Sequence, residues 1–135
     1  MVRELILETS FLVDLEREAR REAPGAAFRF LEAEAESSLL VTFTIAGELA
    51  AGESLAERDV WDELLSSFRV LESNREVCWR YGELYRAQRR TGEIIGANDL
   101  WIAATALAYG VPVVTANVAH FGRVPGLEVV NYRDA

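Results

Sequence analysis

The feature that most constrains this chain is an alternation. Short strand-like runs at residues 5–7, 39–43, 69–71, 111–115 and 127–130 are separated by longer stretches whose apolar residues recur every three or four positions. A brief aliphatic run with little internal alternation suits a strand covered on both faces. A period near 3.6 suits a helix with one buried stripe. Parallel neighbours need a crossover connection, and a helix supplies it, so strand and helix in repetition predict a parallel sheet with helices on both faces. No internal repeat, low-complexity tract or linker divides the chain, and one domain over residues 1–135 is expected.

Local signals set the helices in order. Phe11, Leu12, Leu15 and Ala19 mark the first, and Pro24-Gly25 precedes a second that carries Ala27, Phe28, Phe30 and Leu31. Thr44 is read as the cap of a helix bearing Ile45 and Leu49 and closed by Gly52, and a further helix is expected over 55–68. Asn74 caps the longest helix, which ends near Gly92. Asn98-Asp99 opens another, stopped by Gly110.

Charge narrows the chemistry. The net charge of −8 argues against a broad basic face, so a polyanion has to be bound locally. All 14 basic residues are arginine. The missing lysine excludes a P-loop, a Schiff-base enzyme and a phospho-receiver pocket. Cys78 and His120 are the only residues of their types, too few for a zinc site or an intrachain disulfide. Cys78, between Val77 and Trp79, is expected to be a small buried hydrophobe, and His120 a structural residue. No apolar run approaches the ~20 residues a membrane helix needs. The N-terminal segment is broken at Glu8 and lacks the apolar core of a signal peptide, so a cytoplasmic location is expected.

In open parallel sheets the functional crevice lies beyond the carboxyl ends of the strands. Glu8 follows the first strand, Glu48 lies in the helix after the second, Asp99 begins a helix, and Asn117 follows Val113-Val114-Thr115. Three carboxylates brought together repel unless a cation neutralises them, and no lysine is available to do so. Oxygen donors of this kind suit Mg²⁺ or Mn²⁺, which also bind phosphate oxygens, and phosphodiester hydrolysis is the chemistry that follows. Asp14, on the first helix, is read as a solvated residue.

The residues around these positions resemble a known family. Leu7-Glu8-Thr9-Ser10-Phe11-Leu12-Val13-Asp14 resembles the opening motif of VapC-type PIN domains. Thr44-Ile45-Ala46-Gly47-Glu48-Leu49-Ala50-Ala51-Gly52 is similar to the second acidic motif. The segment from Asn98 and Asp99 to Leu107 resembles the third, and Thr115-Ala116-Asn117-Val118-Ala119-His120-Phe121 the fourth. The resemblance implies a three-layer α/β/α fold around a parallel five-stranded sheet. It also implies a metal-dependent endoribonuclease that acts as the toxin of a toxin–antitoxin pair. In that reading Glu8, Glu48 and Asp99 hold Mg²⁺ or Mn²⁺, Asn117 assists, and Ser10 and Thr115 orient the carboxylates or the substrate. Arg80, Arg86, Arg89 and Arg90 lie along the long helix within reach of RNA phosphates. The implied partners are RNA, a VapB-like antitoxin and a second copy of the chain, with no membrane.

One departure stands out: the family's first acid is Asp, and here it is Glu8. The extra methylene displaces the carboxylate by ~1 Å, a shift that can alter rates about a hundredfold. Two other readings therefore stay open, a PIN nuclease of RNA maturation outside any toxin system and a catalytically weak PIN-like binding module.

Overall fold

Strand β1 (Glu4–Leu7) is a run of aliphatic residues, and Leu5, Ile6 and Leu7 are all fully buried. That demands cover on both faces, and the topology supplies it. The computed structural model describes residues 2–134. In it β1, β2 (Ser38–Thr42), β3 (Arg69–Leu71), β4 (Val113–Val114) and β5 (Val129–Val130) form one parallel sheet in the order β3-β2-β1-β4-β5. The helices are α1 (Thr9–Arg20), α2 (Ala26–Ala33), α3 (Phe43–Ala51), α4 (Arg58–Leu65), α5 (Arg75–Thr91), α6 (Ala97–Tyr109) and α7 (Val118–Phe121). Short 3₁₀ turns occupy Glu53–Leu55 and Tyr132–Asp134.

The strand order determines where a site can form. The chain builds outward from β1 through β2 to β3, then returns to place β4 on the other side of β1. In open α/β sheets a reversal of strand order of this kind, here between β1 and β4, is where a functional crevice forms. Ile6 and Leu7 pair with Val113 and Val114, which brings Glu8 and Thr115, the next residue on each strand, side by side. The main core gathers Leu5, Ile6, Leu7, Phe11, Phe30, Leu40, Val41, Ile45 and Phe121 around the sheet, and Tyr132 closes it with its ring edge against Phe11. A second cluster of Ile95, Leu100, Ala103 and Val124 anchors α6.

Several local expectations are corrected. The cap of α3 is Thr42, whose Oγ1 accepts from Ile45 N at 3.1 Å. Strand β2 passes into the helix without a loop, so the cap falls two residues before Thr44. The Thr44 hydroxyl is instead buried without a hydrogen-bond partner among the described residues. The helix expected over 55–68 is a 3₁₀ turn followed by α4, which Trp61 ties back to α3 through Nε1 donating to Ala46 O at 3.0 Å. The strand expected over 111–115 contracts to two residues, because Val111 N closes α6 on Ala106 O. Cys78 is exposed, since its neighbour Val77 takes the inward position on α5. Asp14 is largely covered: it accepts from the Tyr132 hydroxyl and, at 2.6 Å, from Arg133 Nη2, pinning the C-terminal turn to α1. Among the described residues, no helix is long and apolar enough to cross a membrane.

Candidate active site

The end of β1 and the end of β4 share one buried knot. Glu8, 7% exposed, caps α1 and receives Ser10 N at 3.2 Å, Ser10 Oγ at 2.8 Å and Thr115 Oγ1 at 2.6 Å. Glu8 thereby bridges the ends of β1 and β4. Ser10 Oγ also accepts from Ala116 N at 3.1 Å, and Thr115 Oγ1 from Asn117 N at 2.9 Å, so both hydroxyls lock the start of the β4–α7 loop. Buried hydroxyls that satisfy a carboxylate in this way fix its orientation.

Glu48 enters from α3 and is half-buried. Its Oε1 accepts from Thr9 Oγ1 at 2.8 Å. Burial lifts its carboxyl above the usual carboxylate range; the negative charges of Asp99 and Glu8 push the same way, against hydrogen bonds from Thr9 and Asn98. Three acids from β1, α3 and α6 are therefore coupled through space, although 39 residues separate even Thr9 from Glu48. Asp99 lies in the first turn of α6, where the helix dipole favours its charge, and its Oδ2 sits 2.8 Å from His120 Nε2.

His120 thus belongs to the site, where the sequence had suggested a structural role. Thr9 and Asn98 were also missed. All three lie within or beside the acidic motifs, adjacent to the acids or one helical turn from Asn117, and that adjacency was the signal available. Asn117 begins α7 and is exposed; its backbone is tied to Thr115, while its side chain makes no capping bond. The four arginines of α5 divide. Arg80 is paired with Glu76 at 3.2 Å and Glu83 at 3.9 Å, whereas Arg86 lies over Trp79, Arg89 lies over Tyr85, and Arg90 is exposed.

The donor set suits a hard divalent cation. It is made of carboxylate oxygens, and the repulsion that raises Glu48 is what a cation would relieve. Among the described residues, no three His, Cys, Asp or Glu side chains are gathered closely enough to hold a metal ion. Glu8 is turned into its hydroxyl knot and Asp99 is engaged by His120, so the acids are grouped without converging on a single point.

A sheet of this order with acids at its switch point defines a class, and the comparisons agree with it. The chain belongs to the PIN domain family, whose model matches residues 5–127. It is 37% identical over 92 residues to Ribonuclease VapC10 of Mycobacterium tuberculosis, covering 67% of this chain and 68% of that protein. It is 30% identical over 115 residues to Ribonuclease VapC2 of Rickettsia felis, covering 81% and 86%. Among solved structures, its fold is similar to VapBC2 from Rickettsia felis bound to a DNA fragment from their promoter. That likeness has a TM-score of 0.78 and 27% identity and covers 95% of this chain and 98% of that one.

Proposed function

We propose that this chain is a PIN-domain endoribonuclease, the toxin of a VapBC-type toxin–antitoxin pair, that hydrolyses RNA phosphodiester bonds with Mg²⁺ or Mn²⁺. The observation that carries the chemistry is the approach of Asp99 and Glu8 to the half-buried Glu48 at the β1/β4 switch point, where burial and then those two charges oppose its ionisation. The names of its relatives support the substrate and the system.

Asp99 and Glu48 would hold the ion, with Glu8 reaching it directly or through water. When bound, such an ion neutralises charge on the phosphate and makes an attacking water more acidic. The remaining roles fall to the protein. Thr9 and Asn98 orient Glu48, the Ser10–Thr115 pair fixes Glu8, and His120 holds one oxygen of Asp99. Asn117, exposed at the rim, is placed to meet substrate rather than to brace the fold. A VapB-like antitoxin is the expected partner, in keeping with the VapBC complex that this fold resembles, and a second copy of the chain is expected beside it.

A second reading has one observation in its favour. Glu8 is already satisfied by three donors, as expected for a PIN-like binding module with weak catalysis. Incubating the purified chain with structured RNA and Mg²⁺ or Mn²⁺, beside Asp99→Asn and Glu8→Asp variants, separates the two. The nuclease reading expects cleavage that Asp99→Asn abolishes and Glu8→Asp preserves or raises. Cutting left unchanged by Asp99→Asn would remove the site, and metal binding without cleavage in every variant would favour the module.

A further inference from the structure

A series of aromatic rings runs from α6 across α5 to solvent. Trp101, two residues beyond Asp99 on α6, stacks on Tyr81 of α5 with centroids 3.9 Å apart and planes 20° apart. Tyr81 in turn lies nearly parallel to Tyr85, at 6.3 Å and 20°. Arg89 ends the series, its guanidinium 5.6 Å from the Tyr85 centroid and its Nη1 donating to the Tyr85 hydroxyl at 3.1 Å. Beside these rings opens a groove of about 220 Å³ whose lining includes Tyr81, Tyr85, Ile94, Ala97 and Leu100. Ala97 and Leu100 share the face of the first turn of α6 that lines the groove, and Asp99 lies on another face of the same turn.

A stack formed only for stability would hide its last ring. Tyr85 is 42% exposed and Ile94 60% exposed. Farther back on α5, Trp79, 59% exposed, lies beneath Arg86 at 5.4 Å. The Arg86 guanidinium runs along the helix past Gly82, with Nη1 3.5 Å from where a Cβ would sit, an ordinary contact distance. Neither Arg86 nor Arg89 is ion-paired with a carboxylate among the described residues, in a chain with 22 acids and 14 bases. Arg80, on the same helix, is neutralised by two glutamates. Unneutralised guanidinium groups interleaved with exposed rings are what a single-stranded nucleic acid needs, the rings taking bases and the cations taking phosphates. A two-fold contact with a second copy would instead set this cationic patch against itself.

We infer that Tyr85 and Arg89, backed by Tyr81 and Trp101, form a stacking subsite for one unpaired nucleobase of a bound RNA. Arg86 and Trp79 extend the track along α5. The inference rests on RNA being the substrate and adds that its strand is unpaired where it crosses α5, so that one base can pack against Tyr85 and Arg89.

The test is fluorescence anisotropy of a short labelled single-stranded RNA in EDTA, which reads binding without cleavage, beside a duplex of the same sequence and an abasic oligomer. Wild type binds the single strand most tightly. Tyr85→Ala weakens that binding about tenfold while Tyr85→Phe retains it. Arg89→Ala weakens it and lowers the slope of log K against log salt by about 0.7. Equal affinity for the duplex or abasic oligomer, or an unchanged Kd in Tyr85→Ala, overturns the subsite. If Tyr85→Ala converts a dimer to a monomer in sedimentation while RNA affinity holds, the patch is a self-association face and the inference fails. Tyr85-dependent binding by a wild-type chain that cuts no RNA sinks the nuclease reading alone. Cleavage with the same KM in Tyr85→Ala sinks the stacking site alone.

Discussion

Glu18 and Glu48 are both glutamates removed from water, and they respond in opposite directions. Burial disfavours the charge of each. At Glu18, 8% exposed on α1, that penalty is outweighed by three backbone N–H groups at the start of α2, from Gly25 at 2.7 Å and from Ala27 and Phe28 at 3.0 Å, and its carboxyl is held below the ordinary value. These are donors that every helix start leaves unsatisfied. At Glu48 burial is reinforced by Asp99 and Glu8, and the carboxyl is held above the ordinary value. The α1–α2 corner uses its carboxylate to close the fold. The acidic cluster keeps repulsion in place that only a cation or a proton relieves, the usual mark of a site rather than a brace.

The largest expected break in this contrast comes at Glu18. Glu18→Ala leaves three donors without their acceptor and should lower unfolding stability by about 3 kcal/mol in urea titrations. The sign with pH follows from linkage. A carboxyl held low in the fold contributes stability above its unfolded value, near 4.5, and loses it as pH falls through the lower folded value. Wild type should therefore weaken below pH ~4.5 more steeply than Glu18→Ala; parallel curves would refute the role.

Gly25→Ala sharpens the same point. A Cβ at Gly25 would sit 2.8 Å from Glu18 Cδ, so the carboxylate must withdraw, and a loss of about 2 kcal/mol is expected. At the site, Thr115→Val removes the 2.6 Å bond to Glu8 and leaves that buried carboxylate one donor short. A cost of about 1.5 kcal/mol should show in thermal melts, together with a reduced cleavage rate.

The smallest effect should have the opposite sign. Glu48→Gln removes a charge that its neighbours oppose and should leave stability at neutral pH unchanged or raise it by up to roughly 1 kcal/mol, discounted for partial exposure. A carboxyl held high contributes stability that is lost as pH rises through its folded value, and the variant should lack that decline. Clear destabilisation by Glu48→Gln at pH 7 would show that Glu48 is a brace like Glu18.

Much of this molecule was legible in its residues. The order of strands and helices followed from aliphatic runs and helical spacing, and the caps at Asn74, Gly92 and Gly110 from residue chemistry alone, since Asn74 accepts from Val77 N and both glycines adopt left-handed backbone. The cap at Thr42 was not legible: Thr42 and Thr44 are chemically alike, and the choice depended on where β2 stopped pairing with β3. Asp14 read as solvated because its partners, Tyr132 and Arg133, lie at the far end of the chain.

The sequence by itself determined the α/β alternation and the absence of lysine chemistry, because these depend on residue type and local spacing. Only the tertiary structure decided that Glu8 turns into a hydroxyl knot with Ser10 and Thr115, that His120 meets Asp99, and that Glu48 is half-buried within the field of Asp99 and Glu8. Those outcomes depend on strand order. Placing β4 beside β1 brings side chains more than a hundred residues apart into contact, and the electrostatic field at each carboxylate is the sum over whatever that packing brings near.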